Sequence, residues 1–376
     1  MVHTLSGVVK STAAMMAVIG VAAFATSQAQ AETLTYGSIS PPTHALITDG
    51  FMPFAKAVEQ DTKGEITFDV LAGGSVVSPK TVLSGIGSGL VNTGYVVDVY
   101  VPQVLPHSTL TGDLSPFNSS ALVALAAVTD FQLTQCPGCK AEMDDAGAMT
   151  LGVTSMAPYK LMCKDPVPDL ASLKGRKVRT AGVYGRLMAE FGMVPVSIPV
   201  TDTYEAMERG TIDCLVGVEG WLKAYNLWDS VRYVVDQPLG AWAGGHAMTI
   251  SKDTWAELTP SQRDAILNHV AQMLVAMTHS YEDQAAVARA EAEKRDLTYL
   301  PPLPELAQAL SAAQDKMKQE AIARAEKSGV ENAAQMADAY LAVKAKWDAI
   351  VAEKGDDPAV VAQALKEEVF DKISRD

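Results

Sequence analysis

Residues 173–213 constrain this chain more than any other stretch. Leu173-Lys174-Gly175-Arg176-Lys177-Val178-Arg179-Thr180 is followed by Pro195-Val196, then by Tyr204-Glu205-Ala206-Met207-Glu208-Arg209-Gly210-Thr211-Ile212-Asp213. Short apolar runs alternate with helical patterns, so the segment reads as strand, helix, strand, helix, strand. Arg179 then stands near the end of a buried strand. A guanidinium there can meet a carboxylate in a planar, two-pronged geometry that an ammonium cannot match. In open α/β sheets, ligands bind at the C-terminal ends of the strands.

The same alternation fills most of the chain. Strands are expected over 33–37, 66–71 and 93–100, with helices over 45–62 and 79–89 between them, which is the order of parallel βαβ units. Pro102, Pro106 and Pro116 break the next region into loops. A helix is expected over 121–135 and a long strand over 151–163. The 173–213 pattern follows, with a further strand over 247–251. From Thr254 onward the chain is nearly all helix, and Thr259 with Pro260 makes a good start as N-cap and N1. The fold class is α/β.

Residues 1–31 read as a signal peptide. Lys10 supplies the positive start, residues 13–25 the apolar core, and Ala29-Gln30-Ala31 the cleavage site. The apolar run is shorter than the ~20 residues a spanning helix needs. No later stretch is apolar enough to span, so the exported chain is expected to be periplasmic and not embedded in the membrane. The remaining 345 residues are enough for two domains with full cores. A net charge of −14 argues against nucleic-acid binding. Any bound anion must then be attracted locally, by an Arg or by helix N-termini.

Four cysteines in an oxidising compartment fit two disulfides. Cys136-Pro137-Gly138-Cys139 has the C-x-x-C spacing. A redox site wants that motif opening a helix, and a zinc site wants two more ligands nearby. Neither context is evident in the sequence, which favours a local structural disulfide. Cys163 and Cys214 sit in two expected strands that can be neighbours.

The order L-K-G-x-K-V-R-T, then P-V, then Y-E-A-M-x-x-G-x-I-D resembles the substrate-binding proteins of the tripartite ATP-independent periplasmic (TRAP) transporters. Phe54-Ala55-Lys56-Ala57-Val58-Glu59 with Thr62-Lys63-Gly64, the loop Gly73-Gly74-Ser75, and Ser251-Lys252-Asp253-Thr254-Trp255 are similar to further pieces of that family. The resemblance covers about residues 33–300. It implies a periplasmic-binding-protein-like, two-lobed (Venus flytrap) fold with a long bracing helix and a helical C-terminal region. The lobes would be 32–153 plus 241–280, and 154–240 plus 281–376. An organic acid would be held between them and passed to small and large integral membrane subunits for ion-gradient-driven import. An ABC-type or chemoreceptor-linked binding protein shares the architecture but not the 173–213 pattern.

Carried over by position, Arg179 matches the family's carboxylate-binding arginine. Tyr159 falls near a second polar contact of some members. Gly217 stands where many members carry a ligand-touching Asn, which argues against a standard C4-dicarboxylate. Trp221 and Trp242 are placed to line an apolar or aromatic pocket instead. Trp242 lies in the small-residue segment 240–246, expected to be flexible, where it forms a cleft wall; His246 is a weaker candidate beside it. Arg186, seven residues past Arg179, is a second possible anchor or a solvated helix residue. His44 follows Pro41-Pro42 and can start the first helix, whose N-terminus favours an anion. Asp98 and Tyr100 reach the cleft by the strand-end rule. Gly73, Gly74 and Ser75 can offer backbone N–H groups. The six histidines are scattered and form no H-E-x-x-H pair, and no G-x-S-x-G or G-x-G-x-x-G motif occurs. A receptor with no cofactor, not an enzyme, is the reading that follows.

Overall fold

The computed structural model describes residues 1–4 and 31–373, so the signal-peptide reading of residues 1–31 lies largely outside the described residues. Residues Ala31–Asp376 cluster into one unit that carries both sheets. The first sheet is built from β1 (Glu32–Gly37), β2 (Ile66–Leu71), β3 (Thr93–Val97), β4 (Ala148–Thr150), β5 (Val153–Pro158) and β11 (Ala241–Ser251). The second holds β6 (Lys160–Cys163), β7 (Lys177–Thr180), β8 (Val194–Ser197), β9 (Cys214–Gly217), β10 (Tyr233–Val235) and β12 (Thr298–Leu300). The helices are α1 (Met52–Asp61), α2 (Val82–Gly87), α3 (Pro106–Asp113), α4 (Ala121–Thr134), α5 (Pro137–Asp145), α6 (Val183–Glu190) and α7 (Thr203–Glu208). They continue with α8 (Trp221–Ala224), α9 (Lys252–Glu257), α10 (Pro260–Glu291), α11 (Pro304–Lys327), α12 (Ala333–Lys354) and α13 (Pro358–Leu365).

The parallel pairs β1–β2 and β1–β3, and β7–β8 and β7–β9, are the expected βαβ units. Antiparallel strands join them where the chain changes sheets. The single strand expected over 151–163 is in fact two. Pro158 ends β5, which pairs with β11 in the first sheet, and Lys160 opens β6, which pairs with β9 and β10 in the second. The chain returns over residues 236–240 into β11. The two crossings bond to each other: Tyr159 N–H donates to Gly240 O at 2.9 Å, and Leu239 N–H to Tyr159 O at 2.9 Å. Beside them Lys160 meets Asp236 at 2.7 Å and Glu219 at 3.0 Å, and Arg289 of α10 meets Asp236 at 3.0 Å. Hydrogen bonds from Arg289, then from Lys160, hold the Asp236 carboxyl down at about 2.

β11 begins six residues before the strand expected over 247–251. Ala241-Trp242-Ala243-Gly244-Gly245 lacks β-branched residues and looks flexible, yet it is wholly buried strand between β3 and β5. Its glycines have a packing reason. A Cβ on Gly244 would sit 2.5 Å from Asp98 Oδ2, and one on Gly245 2.3 Å from Tyr95 Oη. The loops expected around Pro106 contain α3, with that proline in its first turn. The C-terminal helices pack on helices between the first sheet's strands β3 and β4, α12 along α4 and α11 against α3. Trp347 Nε1 donates to buried Asp130 at 2.9 Å, which ties α12 to α4.

Two disulfides are present. Cys163 and Cys214 stand opposite each other in β6 and β9, and Cys136 bonds Cys139. Contrary to the sequence expectation, a helix does open at the C-x-x-C pair: Cys136 is the N-cap of α5 and its sulfur accepts from Cys139 N–H at 3.1 Å. Both sulfurs are nevertheless buried, which suits a structural bond. Replacing Cys163 and Cys214 together by Ala should cost about 4 kcal/mol of unfolding free energy, against about 2 kcal/mol for the Cys136/Cys139 pair, because it releases the longer loop. Urea unfolding of the two double variants beside wild type checks both values and their order.

Candidate functional site

A cavity lies between the sheets, where strand ends, crossing strands and the long helix α10 converge. Arg179 of β7 is its only charged lining residue. The side chain is 1% exposed. Nε donates to Ile198 O at 3.0 Å and Nη2 to Tyr100 Oη at 3.1 Å, while the Trp221 ring lies 5.4 Å from the guanidinium carbon. Tyr100 Oη also accepts from Val200 N–H at 3.2 Å, so the hydroxyl proton is not used in either bond. Nη1 has no hydrogen-bond partner among the described residues. A buried cation with spare donors facing a cavity suits an anion better than it suits a fold-stabilising role.

Tyr100, Tyr159, Trp221 and Trp242 line the cavity with Arg179. Trp242 lies in a strand rather than a loose segment. Tyr159, at the crossing, stacks on Tyr184 at 4.7 Å and meets Trp221 edge-on at 5.6 Å. The remaining candidates lie elsewhere. Ser75 is exposed in a turn, and the N–H groups of Gly73 and Gly74 are spent on Ser40 O and Ser38 O at 2.8 and 3.0 Å. Arg186 turns to Asp113 of α3, 3.2 Å away, and shares that carboxylate with Arg324 of α11. It thus ties α6 to α3 and does not line the cavity. Asp98 is fully buried behind the cavity against Gly112 and Gly244, and burial raises its carboxyl pKa well above the usual range. His246 is buried too, with Nδ1 3.3 Å from Thr150 Oγ1.

His44 sits one layer out, its ring 5.9 Å from that of Tyr225 and 5.6 Å from that of Tyr281. Leu46 N–H donates to Nδ1 at 3.1 Å, so the proton of the neutral ring is on Nε2, which has no partner among the described residues. Tyr95, Tyr225 and Tyr281 also line the cavity, and sequence reasoning missed all three. The stripe Val270, Leu274, Met277, Tyr281 at helical spacing marks Tyr281 as buried, but nothing in it separates cavity wall from core. Among the described residues, no group of three or more His, Cys, Asp or Glu is placed to hold a metal ion.

Residues 37–325 match the family described as bacterial extracellular solute-binding protein, family 7. The chain belongs to that family. This is the group anticipated from residues 173–213, and it comprises receptors, not enzymes. Among curated relatives, the chain is 26% identical over 304 residues to a Comamonas testosteroni protein named outer membrane transporter protein TsaT, covering 77% of this chain and 83% of that one. A TRAP periplasmic solute-binding protein from Bordetella bronchiseptica, solved with bound (R)- and (S)-mandelate, superposes with a TM-score of 0.72 at 22% identity, over 84% of this chain and 99% of that one. One from Rhodoferax ferrireducens T118, with copurified benzoate, superposes with a TM-score of 0.77 at 17% identity, over 85% and 99%. The family 7 member described here therefore has their two-lobed fold. No helix among its described residues is long and apolar enough to cross a membrane.

Two predictions follow from the buried polar groups. Asp113→Asn leaves two arginines without their shared carboxylate and should lower stability by about 3 kcal/mol, the low end for a broken buried pair because both arginines are partly exposed. Thermal unfolding at low and high salt measures it. Burial lowers the His44 pKa from 6.5 to about 4. Between those values the unfolded chain binds the extra proton, so the stability supplied by the neutral ring is complete above 6.5 and is lost as pH falls towards 4. His44→Asn keeps an acceptor for Leu46 N–H and should flatten the acid-side fall in Tm; slopes equal to wild type would refute this.

Proposed function

We propose that this protein is a periplasmic receptor that captures a small aromatic monocarboxylate between its lobes and presents it to TRAP membrane subunits for ion-gradient-driven import. The observation that carries the reading is the pairing of one buried, under-used guanidinium with an otherwise uncharged cavity. A ligand with one carboxylate satisfies Arg179, whereas a second carboxylate would find no cation in the lining. Seven of the sixteen lining residues are Tyr or Trp, which favours an aromatic body over a sugar acid. The mandelate and benzoate bound by two proteins of the same fold are acids of this kind.

In this mechanism the open protein meets the carboxylate on Arg179, held ready by Ile198 O and Tyr100 Oη. The first lobe then closes over the ring. Closure is favoured only as far as the ligand binds the closed form better than the open one. Export by the segment ending at Ala31 places the receptor in the periplasm, where the membrane subunits can read the closed form.

Thermal unfolding with benzoate, mandelate, succinate and neutral benzyl alcohol tests the proposal. A ligand at 100 times its Kd adds about 2.7 kcal/mol to stability. The aromatic acids should raise Tm by a few degrees, and succinate and benzyl alcohol should not. Arg179→Ala should weaken benzoate binding by about 3–5 kcal/mol, because the buried carboxylate loses its cation. An undiminished shift in that variant, or an equal shift with benzyl alcohol, would remove Arg179 from the site.

A further inference from the structure

Gly217 ends β9 opposite Lys160 of β6. Its backbone does not enter the positive-φ region, so the chain path there is open to any residue. What demands glycine is a ring. A Cβ on Gly217 would lie 2.1 Å from Cζ3 and 2.2 Å from Cε3 of Trp221. The indole has little room to step aside. Tyr159 meets it edge-on at 5.6 Å and Tyr225 at 6.2 Å, and the Arg179 guanidinium carbon lies 5.4 Å from the ring. Trp221 is only 4% exposed and sits at the first position of the short helix α8, where its own N–H donates to Val218 O at 3.1 Å. Strand end, turn and helix start are thus arranged around one ring laid across a missing side chain. An amide or hydroxyl at position 217 cannot coexist with that ring.

We propose that Gly217 and Trp221 act together as the specificity determinant of the cavity. Gly217 touches no ligand. By having no side chain it admits the indole, which provides a flat π surface beside the carboxylate anchor and keeps out a second hydrogen-bonding group. The site therefore selects a planar unsaturated ring over a saturated ring of the same charge and size. This rests on the reading of Arg179 as the carboxylate anchor.

Calorimetric titration with benzoate and with cyclohexanecarboxylate tests the pair, since the two acids differ in ring planarity and π character but not in charge. Wild type should prefer benzoate. Gly217→Ala, which forces the indole off its seat, should reduce that preference about fivefold or more, the order of an aromatic contact. Trp221→Leu should reduce it similarly, and it decides the question if the alanine variant does not fold. A merely structural role would weaken both acids equally; an unchanged ratio in a folded variant, or no preference in wild type, overturns the proposal. Wild type binding neither acid, nor any other carboxylate, overturns the receptor reading itself and this one with it.

Discussion

The structure depends on one buried cation. Arg179 reaches its place because β7 lies between β8 and β9, so its guanidinium emerges at the strand ends with walls on both sides. Taking a charge out of water is costly unless it is paired and hydrogen-bonded. Here the protein supplies part of that compensation, from Ile198 O, Tyr100 Oη and the Trp221 ring, and on the proposed function a ligand supplies the rest. Those partners come from both lobes, since Tyr100 follows β3 of the first sheet and Trp221 follows β9 of the second. The cation is thus a contact between the two sheets as well as the proposed ligand anchor.

The overall charge of −14 makes local placement matter more. On the proposed function an anionic solute would approach a protein whose mean field repels it, so capture would depend on a short-range site inside a low-dielectric cavity, where one guanidinium counts for far more than it does at a surface. Two other carboxylates are each shared by a pair of cations. Asp113 is shared by Arg186 and Arg324, and Asp236 by Lys160 and Arg289.

The α/β order and the position of Arg179 were legible because residues 173–213 combine alternating periodicity with a specific motif. That Tyr159, Trp221 and Trp242 line the cavity was anticipated, Tyr159 from a position of the resembled family and Trp242 from its place at an expected crossing. The tie made by Arg186 was not, because its partner Asp113 lies on α3, which a reading of prolines as breakers hid; proline in a first turn starts a helix as readily as it ends one. The start of β11 was hidden for a related reason. Ala241 to Gly245 has poor strand propensity, and only the close approach of Asp98 and Tyr95 explains its glycines. Tyr95, Tyr225 and Tyr281 come from three distant parts of the chain, and no local pattern distinguishes an aromatic that faces a cavity from one that fills a core.

The two crossings that bond to each other at Tyr159, Leu239 and Gly240 have a mechanical consequence. Two connections laced side by side behave as a strap and not as two independent tethers. With α10, which leads into β12 beside them, such a strap would favour a swing about its own axis over sliding or shearing. Points near an axis travel least. Tyr159 and Trp242 sit at or beside it, so in such a swing this part of the cavity wall would stay nearly still.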